Sequence, residues 1–246
     1  MVQWRIGCSG YHYAEWRRIF YPESLSPRKW FEFYCTQFNS LELNVTFYRF
    51  PKADFLKGWY GRSPDNFIFT VKAPRLITHF KRLNEAQHAL NNFYGTVREG
   101  LQHKLGCILF QFPSSFVFEE HRLERIVNLV NPTFNNVIEF RHESWWNPAV
   151  FNAFSANKIT FSGMSHPSLD ESAVKTNDVV YYRFHGVPHL YSSKYDHETL
   201  EKIAHDIQSM NDVREAYIYF NNTSEGAAIA NAKQFQELCE AVSREH

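Results

Sequence analysis

Short apolar runs recur along the chain, and most of them end in a charged or amide side chain. The runs are Trp4–Ser9, Ser40–Asn44, Phe67–Lys72, Cys107–Gln111, Val137–Arg141, Ile159–Ser162, Val179–His185 and Ala216–Asn221. Each reads as a strand. Between them lie stretches with helical spacing: Pro27–Phe38, Lys52–Tyr60, Glu85–Glu99, Glu119–Val130, Pro148–Asn157, His197–Met210 and Ala227–Val242. Ser26-Pro27 and Asn147-Pro148 are helix starts, a capping side chain followed by proline at the first helical position. Gly61, Gly100 and Asn131-Pro132 are stops. The segment Ser165–Asn177 reads as short and weakly helical.

Eight strands alternating with about eight helical segments give about 31 residues per unit over the 246-residue chain. This predicts an α/β fold, a single eightfold β/α (TIM) barrel occupying residues 1–246 as one domain. A doubly wound open sheet is the alternative. It usually carries a G-x-G-x-x-G turn after its first strand, and Gly7-Cys8-Ser9-Gly10 does not fit that pattern.

The polar strand ends give the barrel its candidate chemistry. Strand side chains alternate faces, so Glu42 and Asn44 point one way, as do Glu139 and Arg141, and Arg183 and His185. Lys72, Gln111 and Asn221 close three further strands. A barrel gathers these ends at its active face. Three cations, Lys72, Arg141 and Arg183, would there meet two carboxylates, Glu42 and Glu139. Such groups must pair with one another or hold something charged. One expectation is therefore a closed ion-pair network. The other is a pocket for a small anion such as a phosphate, carboxylate or phosphodiester. In the second, Glu139 and Glu42 are the proton-transfer candidates and His185 orients the substrate. Arg141 on the same face would keep Glu139 ionised. Lys72 would form an imine only if desolvated, and adjacent carboxylates would hold it as an ammonium. Thr46, Tyr48, His142 and Trp145 sit in loops on the same face, and Asn221-Asn222 offers amide groups. No cofactor is predicted. A single divalent metal at Glu42, Glu139 and His185, with His142 as a further ligand, is an alternative that the competing cations oppose.

Composition narrows the partners. Hydrophobic residues make up 44% and charged residues 21%, enough for a packed core. Lys plus Arg equals Asp plus Glu at 26 each, so the chain lacks the global positive field of a duplex-DNA binder. A small anionic ligand is favoured over nucleic acid, with single-stranded nucleic acid as the alternative partner. Cys8, Cys35, Cys107 and Cys239 are too dispersed for a disulfide framework or zinc ribbon. No apolar run approaches the ~20 residues of a membrane span, and the start shows no signal-peptide pattern, so a cytoplasmic protein is expected. Neither a G-x-x-x-x-G-K-[ST] loop nor a G-x-S-x-G elbow occurs.

Seven segments in order carry a resemblance. They are Ile6 to Tyr11; Phe38 to Pro51; Val71-Lys72-Ala73-Pro74-Arg75 with Ile77-Thr78-His79; Leu105 to Phe116; Glu139-Phe140-Arg141-His142 with Ser144-Trp145; Tyr182 to Gly186; and Tyr219-Phe220-Asn221-Asn222 with Gly226. Together they resemble the domain of unknown function 72, or YecE-like, family. The resemblance implies an eightfold β/α barrel and supplies no activity. The chain departs from the family pattern at Tyr11-His12-Tyr13, where Trp-Ser-Tyr is common, and at the single Pro113, where two prolines are common. It departs again at Thr223, where an acidic residue often stands.

The resulting expectation is an enzyme acting on a sugar phosphate or nucleotide-like phosphodiester at the strand ends, a hydrolase, phosphodiesterase or isomerase in class. The alternatives are a non-catalytic binder of a small anion or single-stranded nucleic acid, and a metal-dependent nuclease or isomerase.

Overall fold

The computed structural model describes residues 2–244. Eight strands form one parallel sheet: β1 (Gln3–Cys8), β2 (Ser40–Leu43), β3 (Ile68–Lys72), β4 (Leu105–Gln111), β5 (Asn135–Glu139), β6 (Thr160–Ser165), β7 (Val179–Phe184) and β8 (Glu215–Phe220). Its order, β1-β8-β7-β6-β5-β4-β3-β2, pairs every strand from β2 to β8 with the next in sequence, and β8 returns to β1. This is a nearly closed β/α barrel.

The remaining seam, between β1 and β2, is bridged by side chains rather than by a backbone ladder. Asn39 donates to Trp4 O at 2.9 Å and accepts from Ile6 N at 2.9 Å, taking the part of a strand residue. One step along, Cys8 N donates to the Tyr34 hydroxyl at 2.7 Å, which donates to Ser40 O at 3.0 Å. Gly7 is required there, because a Cβ on it would lie 2.0 Å from Ser40 O.

The helices α1 (Trp30–Cys35), α2 (Val45–Tyr48), α3 (Ala53–Arg62), α4 (Gln87–Leu101), α5 (Glu120–Leu129), α6 (Pro148–Ala156), α7 (His197–Gln208) and α8 (Ala227–Val242) lie in the connections. The Asn147 side chain accepts from Val150 N at 3.2 Å and starts α6, with Pro148 at its first position. Asp196 caps α7 in the same way through Thr199 N at 2.9 Å. Ser26-Pro27 opens only a 3-10 turn, Pro27–Lys29, which passes directly into α1. The weak helix expected over Ser165–Asn177 does not form. β6 runs on to Ser165, and the chain beyond lies against β6 and β7. Thr176 Oγ1 accepts from Phe161 N and donates to Ile159 O, while the Tyr182 hydroxyl donates to Glu171 O. Pro167 and the Asp170 side chain, which accepts from Ser172 N, further favour turns.

The barrel interior mixes tyrosine with branched residues. Tyr181, Tyr217 and Tyr219 pack with Cys107, Leu109, Val137 and Val179. The Tyr219 hydroxyl is satisfied by Ser40 and Thr70. Gly106 makes room for this layer, since a Cβ there would lie 2.8 Å from the Tyr217 ring. A larger apolar core fills the space between sheet and helices. All four cysteines are free.

Candidate functional site

Glu42, near the end of β2, and Glu139, the last residue of β5, both point into the upper end of the barrel and are fully buried. Arg183 of β7 reaches between them. Its Nη2 donates to Glu42 Oε1 at 2.6 Å, and its Nη1 donates to Glu139 Oε2 at 2.8 Å and Oε1 at 3.1 Å. The Tyr181 hydroxyl donates to the second oxygen of Glu42. A buried carboxylate–guanidinium–carboxylate bridge therefore spans the barrel from β2 to β5 through β7. Burial alone opposes its charges, and it stands because each oxygen has a donor.

Arg141 lies just past β5, two residues beyond Glu139 and on the same face. Its Nε donates to Glu139 Oε1 at 2.8 Å, and its Nη2 lies 3.0 Å from His185 Nε2. His185 follows β7 and is fully buried, with Nδ1 3.1 Å from the Asn221 amide nitrogen. Burial, then Arg141 and Arg183, push the His185 pKa well below its ordinary value, so the ring is neutral and accepts from Arg141. Burial works against the charge on Glu139, but Arg141 and Arg183 outweigh it and hold the carboxyl well below the usual range. Glu139 is thus a fixed anion rather than an acid.

Lys72 ends β3 on the same rim and differs from every other charge there. Its ammonium lies over the Phe47 ring, 4.4 Å from the centroid. It has no hydrogen-bond acceptor and no carboxylate partner within 4 Å among the described residues. Burial, followed by the charge of Arg183, lowers its pKa to about 8 against the opposing pull of Glu139 and Glu42. Lys72 therefore remains mainly an ammonium at neutral pH, as expected, but less firmly than an ordinary lysine, because Arg183 and Arg141 pair with the two carboxylates.

The other candidates divide. Gln111 sits beside Glu139 in the β4–β5 ladder and donates to Phe112 O at 2.9 Å. Asn221 reaches the cluster through His185. Tyr48 is exposed at the rim, edge-on to Phe47. Asn44 leaves β2 to open α2, and its buried Oδ1 has no partner among the described residues. With Ser9 and Glu42, Asn44 lines a cavity of about 350 Å³ walled by Tyr11, His12, Tyr13, Phe55 and Trp59.

Four expected ligand contacts belong to the scaffold instead. Thr46 Oγ1 donates to Lys72 O at 2.6 Å and ties α2 to β3. His142 pairs with Ser144, where it caps a 3-10 turn. Trp145 is buried outside the sheet, stacked on Phe140 at 3.8 Å, with its indole N–H donating to Phe116 O. Asn222 binds Ser193 O and Asn231 and fastens the last loop to α8. A divalent ion at Glu42, Glu139 and His185 would have to displace the Arg183 guanidinium. No cluster of His, Cys, Asp or Glu among the described residues has a metal-binding arrangement.

Residues 5–245 match the model of a family described as "Protein of unknown function DUF72". The chain belongs to this family. It is 25% identical over 255 residues to the UPF0759 protein YunF of Bacillus subtilis, covering 89% of each chain. To the UPF0759 protein YecE of Escherichia coli K12 it is 28% identical over 116 residues, 47% of this chain and 42% of that one. A DUF72 family protein from Thermotoga maritima superposes with a TM-score of 0.87 at 28% identity, covering 97% of this chain and 99% of the other. The barrel is thus the architecture of this family.

Three residues of the site in this family member were not singled out from the sequence. Tyr181 stands two before Arg183 on β7, so the alternation that joined Arg183 to His185 also placed Tyr181 inward. Ser9, directly after β1, lies 3.5 Å from Arg183 Nη2. Phe47, under Lys72, carried no distinguishing signal among the rim aromatics.

Proposed function

We propose that this protein is an enzyme of the cytoplasm acting on a small phosphorylated substrate, a sugar phosphate or a nucleotide-like phosphodiester, at the C-terminal strand ends of its barrel. The observation that carries this reading is Lys72, a half-buried cation with no counter-carboxylate beside two carboxylates that are already bridged. The rim holds three cations against two anions, and a bound phosphate oxygen would supply the missing partner. Lys72 and Arg141 hold the anion, since Arg141 keeps side-chain surface at the mouth while Arg183 is sealed below it. Arg183, Glu42 and Glu139 form the rigid floor. Neutral His185 fixes the orientation of Arg141. Lys72, with its pKa lowered to about 8, changes protonation nearer neutrality than Glu139, so proton transfer falls to it rather than to Glu139. No helix among the described residues is long and apolar enough to cross a membrane.

The test is thermal unfolding with a panel of sugar phosphates, nucleotides and short single-stranded oligonucleotides, on wild type and Arg141→Ala. Stabilisation of wild type by small phosphorylated compounds, lost in the variant, is expected. Stabilisation by oligonucleotides alone, with a steep salt dependence, would replace this reading by nucleic-acid binding.

A further inference from the structure

Lys72 has the setting of a nucleophile. Its stem is covered, and its Nζ rests on an aromatic face rather than on oxygen. Its backbone is pinned where β3 ends, because the Thr46 hydroxyl donates to its carbonyl. The anions that would otherwise hold the ammonium are engaged elsewhere, Glu42 by Arg183 and Tyr181, Glu139 by Arg183 and Arg141. The charged and titratable groups around it are Arg183, Glu139, Glu42 and Arg141 from three other strands, and His79 from the turn after β3. His79 is neutral near pH 7, since burial, then Lys72 and Arg82, lower its pKa to about 4. The amine's one close partner among the described residues is the Phe47 ring, which leaves the nitrogen open to a substrate carbonyl.

We propose that Lys72 forms an imine with the carbonyl carbon of a small phosphorylated aldehyde or ketone. This names a substrate class for the anion site above and rests on that reading. The neutral amine adds its lone pair to the carbonyl carbon, and the C=O π pair moves to oxygen. That oxygen takes the proton the nitrogen sheds, giving a carbinolamine. A proton from solvent then lets the oxygen leave as water while the nitrogen pair forms the C=N bond. The product is an iminium, with one water released and no change of oxidation state. Its positive charge stands where the ammonium stood, so the charge balance against the Glu42–Arg183–Glu139 bridge is kept. The pKa of about 8 leaves a useful fraction of amine neutral at physiological pH.

The probe is pyridoxal 5′-phosphate, an anionic aldehyde, added to wild-type protein at pH 8 and trapped with borohydride. The labelled lysine is then located by peptide mass mapping. Pyridoxal, which lacks the phosphate, is run in parallel, with and without inorganic phosphate. Lys72 should label faster than the exposed lysines by on the order of tenfold or more, as a lowered pKa requires. Its rate should rise with pH through about 8, and inorganic phosphate should slow it. Labelling spread over exposed lysines with Lys72 untouched would overturn the imine. In that case stabilisation by phosphate leaves the anion site standing alone. Equal labelling of Lys72 by both aldehydes, with no protection by phosphate, would keep the imine and remove the anion site.

Discussion

Two lysines bracket the barrel and show opposite logic. Lys104, just before β4 at the lower end, is 2% exposed. Its ammonium donates to Tyr60 O at 2.9 Å, Ser63 O at 2.8 Å and Ser63 Oγ at 3.0 Å, closing the C-terminus of α3. Lys72, at the upper end, has none of these. Each sits over an aromatic ring, 4.6 Å from Tyr60 for Lys104 and 4.4 Å from Phe47 for Lys72. The ring is therefore not the difference; the oxygen acceptors are. A buried cation with three acceptors is part of the scaffold. One held next to occupied carboxylates, without acceptors, costs stability and persists for another reason.

The largest effect should come from the upper end's own keystone. Arg183→Met leaves Glu42 and Glu139 buried without their shared cation, and should destabilise by about 3–5 kcal/mol in urea unfolding. The two lysines should then separate by sign. Lys104→Met strands the Tyr60 and Ser63 acceptors and should cost about 2–3 kcal/mol. Lys72→Met removes an unpaired, desolvated charge and should stabilise at pH 7 by about 1–2 kcal/mol, while abolishing phosphate-dependent stabilisation. That gain has a defined pH window. The folded pKa of Lys72 is lowered to about 8, so the penalty is full below it. It fades as pH rises from there toward the ordinary lysine value. The stability difference between Lys72→Met and wild type should shrink over the same range.

On the acid side the smaller effects belong to His185 and Glu139. His185 is held neutral, so the unfolded chain binds the proton first and stability falls as pH drops below about 6.5. Glu139, whose pKa is depressed, adds stability above its ordinary value, and that contribution is lost as pH falls through the depressed one. A His185→Gln variant should flatten the first part of this slope and leave the second, as measured by unfolding midpoints across pH. The smallest expected change is Tyr181→Phe, which takes one donor from Glu42 and should cost about 1 kcal/mol.

The barrel was legible because its signals are local. Strand runs, helix starts such as Asn147-Pro148 and stops such as Gly61 lie within a few residues of what they specify. Alternation also placed Glu139 with Arg141 and Arg183 with His185 correctly. Loop positions were less legible: Asn222 and Trp145, expected at the active face, follow β8 and β5 in loops that turn their side chains into the helical layer. Ser165–Asn177 failed as a helix because its hydrogen bonds go to β6 and β7, which local spacing does not encode. The decisive feature of the site was the least visible. Arg183 and Glu42 are 141 residues apart in sequence, and nothing near either one says which cation takes which carboxylate. That assignment leaves Lys72 without a partner.

The most direct test is heteronuclear NMR of the protein with isotope-labelled lysine, titrated from pH 6 to 11, with Lys72→Met used to assign the Lys72 signal. One lysine should titrate near 8, vanish in the variant, and move upward when inorganic phosphate is added. A Lys72 signal that titrates with the exposed lysines near about 10.4, unmoved by phosphate, would contradict the account.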